Sequence, residues 1–295
     1  MIRIQGRAVV YGEVWFDEAP PHGSGLAGVD VLVYHWRPAR VPNGRPYRTG
    51  PAPEQPMHSL QTDLAPSPEA IFAQFDETCR RHIRRAERDD GLRFEVLASA
   101  AGGLEEFAEF YDQFARQKGL WLADRHWLAR SAEAGQLTLS CVACGGERLV
   151  WHAHLRAGST VQLAHSVSLY RGTRDDHRAL VARANRWLHW RDMLGFKAAG
   201  LSRYDWGGMF EPESTAEQAG INRFKRSFGG RPVLAYQCAV PVTLRGRVWL
   251  RVSGALRRGP RRRRLSVMAD RARRADPAAP RATDSDRGTS GGATA

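Results

Sequence analysis

Residues 204–230 read YDWGGMFEPESTAEQAGINRFKRSFGG, and their spacing decides how the chain around them has to fold. An acidic residue beside an indole runs into a glycine pair. A loop follows, then a short amphipathic stretch carrying Phe224 and Lys225, then a second glycine pair. The spacing predicts a strand that stops at a backbone opening, a loop, and a helix that brings one cation back toward that opening.

A chain of 295 residues with 42% hydrophobic content can bury a sizeable core, as one large or two small domains. Its net charge of +13 invites a nucleic-acid function, so the distribution of that charge matters more than its size. Residues 256–295 hold eleven Arg against four Asp, a net of +7, in a segment rich in Pro, Ala, Gly and Ser. Too few large apolar residues occur there to offset the entropy of ordering, which predicts a disordered tail. Arg3, Arg7 and Glu13 interrupt any signal-peptide core, and no window reaches the run of about 18 apolar residues that a spanning helix needs. The expected location is cytoplasmic, with peripheral membrane contact left open.

Outward from the opening stretch, the chain alternates strand and helix signals without repeats. RAVVYGEVWF, VDVLVYHW and SLQTDL read as strands, with a Pro- and Gly-rich connection before the last. Ser67 and Pro68 open a long helix, with Phe72, Phe75, Cys79, Ile83 and Ala86 on its apolar face. LRFEVLA is strand-like; LEEFAEFYDQFARQKG and DRHWLARSAEAG are helical; LTLSCVA, RLVWHAHL and VQLAHSV form an antiparallel meander. A helix over DDHRALVARANRWLHWRDMLG is expected to stop at Gly195, followed by a strand at RYDW, a helix at INRFKRSF, and strands at PVLAYQC and RVWLRVS. The fold class is α+β, or mixed α/β.

Three clusters could carry chemistry. Arg80, Arg81, Arg84, Arg85 and Arg88 form a cationic stripe on the helix after Pro68; it is either a solvated face or a phosphate-binding one. Cys141 and Cys144 stand three apart, which on one strand points them to opposite faces and disfavours a shared ion. His152 and His154 stand two apart and share a face, so they could ligate a metal. His165 would join them only if the hairpin turn at 158–159 keeps a regular register. Lacking an acidic partner nearby in sequence, these histidines are expected to pack against aromatics such as Trp151 and Tyr170, and no resident metal is expected. The rival functions are therefore a metal-dependent enzyme built on the HAH strand and a non-catalytic nucleic-acid-binding module using the arginine helix and tail.

ETCRRHIRRAERDDGLRFEVL (77–97), GLSRYDWGG (200–208) and GINRFKRSFGG (220–230) together resemble the three signatures of the FemAB-like branch of the GNAT acyltransferase superfamily, in the family's order. The resemblance implies a GNAT-like fold in two halves, an abbreviated one over residues 1–98 and a fuller one over 99–255. It implies transfer of an acyl or aminoacyl group to an amine, with acyl-CoA or aminoacyl-tRNA as co-substrate and no bound cofactor. Relatives build peptidoglycan cross-bridges or are encoded with polysaccharide or lipid pathways, and the arginines of the stripe would then meet phosphates of a nucleotide-linked or lipid-linked acceptor or of the donor. The chain lacks the long coiled-coil insertion of some bridge-forming members.

By the same resemblance, the sheet splays at RYDW, and Gly207 and Gly208 allow backbone and ligand to approach closely. Phe224 and Lys225 lie beside the acyl donor, with Lys225 the catalytic cation. Asp205 and Trp206 belong to the substrate site, and Arg81, Arg84 and Arg85 meet phosphates. Asp205 is expected to bind the acceptor amine, accept its proton, or cap the turn. Removing residues 256–295 should leave the melting temperature of the folded protein unchanged, because that segment has almost nothing to bury. A large drop on truncation, followed by circular dichroism, would contradict the disordered tail.

Overall fold

The strand around RYDW exists and divides the molecule's interior into two chemistries. In the computed structural model, which describes residues 1–41, 44, 56–97, 103–169 and 174–258, it is β9 (Arg203–Gly208). Alternation sends Tyr204 and Trp206 into the main apolar core and Arg203, Asp205 and Gly207 to the opposite face. Residues Met1–Leu250 form one compact unit and Arg251–Ala295 a second, of which only Arg251–Arg258 are described. The predicted tail and Tyr170 thus lie mainly or wholly outside the described residues.

One mixed ten-stranded sheet runs through the first unit. In chain order its other strands are β1 (Ile2–Gln5), β2 (Val10–Trp15), β3 (Val31–Arg37), β4 (Met57–Asp63), β5 (Arg93–Leu97), β6 (Leu137–Cys144), β7 (Glu147–Ala157), β8 (Thr160–Ser168) and β10 (Arg231–Pro241). The spatial order is β1-β2-β3-β10-β4-β9-β8-β7-β6-β5. The late strand β10 therefore lies between β3 and β4, antiparallel to both. Two pairs, β2 with β3 and β8 with β9, are parallel.

Helices cover both faces. α1 (Pro68–Ala73), α2 (Glu77–Asp89), α5 (Asp175–Ala198) and α6 (Ala216–Arg226), with the α1–α2 connection and the turn after α6, bury Phe75, Ile83, Trp187, Leu188 and Phe228 against Leu60, Val150, Tyr204 and Trp206. α3 (Gly103–Lys118) and α4 (Arg125–Glu133) cover Leu139, Cys141 and Trp151 on the other face. Each cap is chemically ordinary: Ser67, Asp76, Asp124 and Thr215 accept from the first-turn N–H groups of α1, α2, α4 and α6.

Three expectations need correcting. The long helix after Pro68 is broken, because Asp76 takes the Cys79 N–H at 2.6 Å and starts a new helix, while the Asp76 N–H bonds the Ser227 carbonyl. Gly195 does not stop α5, which continues to Ala198 and turns at Gly200 with φ +82. RVWLRVS is not a strand. It belongs to helix α7 (Leu244–Arg258), opened by the Thr243 hydroxyl accepting from the Gly246 N–H and packed down through Trp249 and Leu250.

Phe228 is fully buried, with ring centroids 4.6 Å from Trp206 and 5.2 Å from Phe75. Phe224 is half-buried and has the Arg186 guanidinium over its ring at 4.9 Å. Phe228→Ala should therefore destabilise the fold by ~3–5 kcal/mol, and Phe224→Ala by clearly less, because the cavity left by Phe224 opens toward solvent. Urea denaturation of both variants checks the order; equal losses would mean that Phe224 is a core residue after all.

Candidate functional site

β8 and β9 pair only through Thr160–Arg203, Val161–Tyr204 and Gln162–Asp205, although both strands continue beyond that point. The sheet therefore opens between Leu163–Ser168 of β8 and Trp206–Gly208 of β9. Gly207 sits at the opening with φ +69, and a Cβ there would lie 3.1 Å from the Leu163 carbonyl oxygen. A side chain at this position would be strained by the backbone conformation and would crowd that carbonyl. Gly208 is under no such restraint from the protein, since a Cβ would meet only the Trp36 ring at 3.6 Å.

Asp205 lies immediately before the opening, 1% exposed. Its Oδ2 accepts from Gln61 Nε2 at 2.8 Å; its Oδ1 accepts from the Gly207 N–H at 2.8 Å and from Gln162 Nε2 at 3.3 Å. The Ser59 hydroxyl stands 2.8 Å from Oδ1 and 2.9 Å from the Gly207 carbonyl, and donates to one at a time. Burial holds the Asp205 carboxyl above its usual range against these hydrogen bonds. Both oxygens accept hydrogen bonds within the protein, and Oδ1 caps the turn at the Gly207 N–H.

Lys225 reaches the opening from α6, and its Nζ donates to the Gly208 carbonyl at 2.7 Å. Desolvation pushes Lys225 down to about 8, partly opposed by the Asp205 charge. The cation thus meets β9 at the carbonyl of the second glycine. Trp206, by contrast, is 1% exposed, gives its indole N–H to Thr62 Oγ1 at 3.0 Å, and lies within the core. It shapes the site from behind.

The arginines divide. Arg81, Arg84 and Arg85 are all exposed on α2. His82 is held below its ordinary range by burial first, then by Arg186, Arg81, Arg183 and Arg85, which marks one cationic zone spanning α2 and α5. Arg186 carries that zone to the Phe224 ring. Arg84 instead lies over Phe72 at 5.4 Å.

The HAH strand is more polar inside than its sequence suggests. His152 and His154 share a face of β7, and α5 brings Asp192 to them, the acidic partner that spacing alone could not supply. These three side chains could hold a metal. Their closest pair, His152 Nδ1 and Asp192 Oδ2, stands at 2.7 Å, a hydrogen-bond distance, whereas two ligands of one tetrahedral zinc stand about 3.3 Å apart. His154 Nε2 and His189 Nδ1 both lie 3.0 Å from the Tyr204 hydroxyl, and His152 Nε2 lies 3.0 Å from Asn185 Oδ1. His165 takes no part. A bulge between Ala153 and His154 pairs His165 with Ala153, so it faces Tyr111, Phe107 and Trp127 on the other side. Trp151 also points there, and Phe196, Tyr204 and Trp206 are the aromatic neighbours of the buried histidines instead.

Sequence reasoning missed Ser59, Gln61 and Gln162, which hold Asp205, and Asn185, His189 and Asp192, which complete the network around His152 and His154. Polar residues inside apolar strands were the available signal, but their pairing across up to 146 residues of chain left no local trace.

Burial pushes His154 down to about 4 and His189 well below its usual range. An unfolded histidine titrates near 6.5, so between pH 6.5 and 5 the unfolded chain takes up protons that these two folded side chains refuse. Stability is therefore full above 6.5 and falls on acidification, by ~1.5 kcal/mol for His154 alone, with His189 acting in the same direction. Asp205 acts oppositely, since its raised folded value makes the native state the better proton acceptor at low pH. Denaturant midpoints at pH 6.5 and 5 should show the net loss. Identical midpoints would contradict a neutral buried His154.

Residues 73–226, just over half of the chain, match the family described as "Acetyltransferase (GNAT) domain". No curated protein matches the chain. Among solved structures it is similar to FemX at 13% identity and a TM-score of 0.54, covering 76% of this chain and 75% of that one. It is also similar to a C-terminal domain assigned to lysylphosphatidylglycerol synthetase from Agrobacterium fabrum, at 16% identity and a TM-score of 0.50, covering 86% and 84%. At such identities the likeness is one of fold, and it is the fold that the three signatures implied. Family match, mixed sheet and strand opening agree: the chain belongs to the GNAT acetyltransferase-domain family.

Proposed function

We propose that this chain transfers an acyl or aminoacyl group, from acyl-CoA or aminoacyl-tRNA, to an amine of a cell-envelope precursor or of a polysaccharide or lipid intermediate. The observation that carries the proposal is Lys225, seated on the Gly208 carbonyl where β8 and β9 part. In this reading the donor lies in the opening, and its carbonyl oxygen comes to the ammonium. The amine nitrogen attacks the carbonyl carbon, the oxygen gains negative charge that Lys225 stabilises, and collapse expels the thiol or ribose hydroxyl. The proton of the attacking amine leaves to water or to the departing group.

The cationic zone of Arg81, Arg85 and Arg186 supports a phosphate-bearing donor or acceptor on the α5 side, while Arg183 is already paired with Asp90 at 2.6 Å. Arg84 would add only long-range charge. Phe224 would line the donor groove with its half-exposed ring, while Gly207 and Gly208 keep the opening free of side chains. The lipid in the name of the second structural neighbour, and the peptidoglycan role implied by the FemAB-like resemblance, support an envelope acceptor. Among the described residues no helix is long and apolar enough to cross a membrane, so such an acceptor would be met at a surface. A cytoplasmic setting fits both donors. We retain the two-half division, 1–98 and 99–255, as part of this reading.

Lys225→Ala should slow single-turnover transfer by ~3 kcal/mol, on the order of a hundredfold, with little change in donor affinity or melting temperature. Lys225→Arg should not fully restore the rate, because a planar guanidinium places its donors elsewhere. Since the ammonium is the useful form and Lys225 sits at about 8, the wild-type rate should fall as pH rises through about 8. A rate that rises by more than deprotonation of the attacking amine supplies would make neutral Lys225 a base and overturn the oxyanion role.

A further inference from the structure

The sheet face that carries Asp205 also floors a cavity of about 300 Å³, at the lower bound for small-molecule sites. Phe16, Trp36, Gln61, Arg203, Arg231 and Leu234 line it. Two of these residues tie it to the opening. Gln61 donates to Asp205 Oδ2, and a Cβ added at Gly208, whose carbonyl holds Lys225, would come within 3.6 Å of the Trp36 ring. The cavity therefore adjoins the reacting end of the site from the face opposite α5 and α6.

Phe16 and Trp36 share another property. With φ of 51° and 53° they are the two non-glycine residues with left-handed backbone among the described residues, and both wall the same cavity. Large side chains adopt that conformation only where their surroundings enforce it. The Phe16 N–H bonds the His35 carbonyl at 2.9 Å, and Trp15 stacks on the His35 ring at 4.2 Å, which holds both β2 and β3 ends in place. The result is a fixed aromatic wall.

The rest of the lining carries polar groups among apolar ones. Arg203 is tied to the protein: its Nε donates to Thr160 Oγ1 at 2.9 Å and its Nη2 to Asp17 Oδ2 at 2.5 Å and Ser159 Oγ at 3.0 Å. Arg231 is exposed and has no carboxylate within ion-pair distance among the described residues. Arg231, unpaired by any carboxylate among the described residues, thus lines the same cavity as the Trp36 indole, together with Gln61 and with Asp17, whose Oδ2 accepts from Arg203. An aliphatic chain would waste these groups, and a nucleic acid would need a longer basic track.

We infer that this cavity is the acceptor site, and that its ligand is an amine-bearing sugar with an anionic substituent. The sugar ring lies on Trp36, its hydroxyls meet Asp17 and Gln61, its phosphate or carboxylate pairs with Arg231, and its amine points toward Gly208 and Lys225. The assignment of an acceptor rests on the acyl-transfer reading; the binding itself does not. The amine would form the new N–C bond while the donor's C–S or C–O bond breaks.

Calorimetric titration with glucosamine 1-phosphate tests it, with glucosamine and inorganic phosphate as separate arms. Wild type should bind the phosphorylated amino sugar with a Kd below about 1 mM, and either single-function arm about tenfold more weakly or less. Trp36→Ala and Arg231→Ala should each weaken binding about tenfold or more while circular dichroism stays native. Lys225→Ala should bind as wild type does. No binding at about 10 mM, binding that survives both substitutions, or equal binding of inorganic phosphate would overturn the inference. If binding behaves as expected but Lys225→Ala transfers acyl groups at the wild-type rate, the transfer reading fails and the sugar site stands.

Discussion

A carboxylate kept inside a protein has to be surrounded by donors, and here that requirement fixes where the sheet divides. Asp205 draws Gln61 from β4, Gln162 from β8 and the Gly207 N–H from β9 itself to one point, with the Ser59 hydroxyl beside them. Withdrawing any of these donors would leave a buried acceptor short of partners, a cost of ~1–3 kcal/mol. The three strands are thus held together at Asp205, and β8 and β9 are free to separate only beyond it. An opening with a rigid edge results, which is what a site that must orient a reacting carbonyl needs.

On the other face of the same strand the constraint is apolar. Tyr204 and Trp206 flank Asp205 and turn into the core, where Trp206 packs on Phe228 and Tyr204 joins the histidine network. His154 Nδ1 and His189 Nε2 find no partner among the described residues. A buried network with unsatisfied members is expensive, yet it links α5 to β7 and β9 through side chains that can hardly be exchanged one at a time. Position along β9 is therefore specified twice, by charge on one face and by shape and hydrogen bonding on the other.

Most of the fold was legible because its signals are local. Alternation marks the meander β6–β8, apolar spacing marks α3 and α5, and Ser67, Asp124 and the 158–159 turn behave as their chemistry dictates. Failures occurred where a distant partner overrode a local preference. Asp76 breaks a helix whose apolar spacing runs straight through, because it serves α2 as a cap and Ser227 as a backbone partner. Thr243 and Asp30 turn a β-like segment into α7. One bulged residue in β8 sends His165 to the opposite face. Lys225 and Asp205 were visible as a motif, whereas Trp36, Gln61 and Asp192 depend on which strands and helices become neighbours.

The two glycine pairs of the opening stretch converge on one residue. Gly207 adopts its left-handed conformation with its N–H on Asp205, which Gln61 also holds through its amide. At Gly230, the second of the other pair, a Cβ would lie 2.8 Å from the Gln61 carbonyl oxygen, and at Gly229 it would lie 2.8 Å from that of Gln74, in the gap between α1 and α2. The chain leaving α6 can therefore enter β10 only by passing directly over β4 and the helix break. That passage sets the height of α6 above the sheet, and with it the reach of Lys225 to the Gly208 carbonyl. The glycines look like a signature of flexibility, but Gly207, Gly229 and Gly230 each mark a close approach, and together they set the distance between Lys225 and the opening.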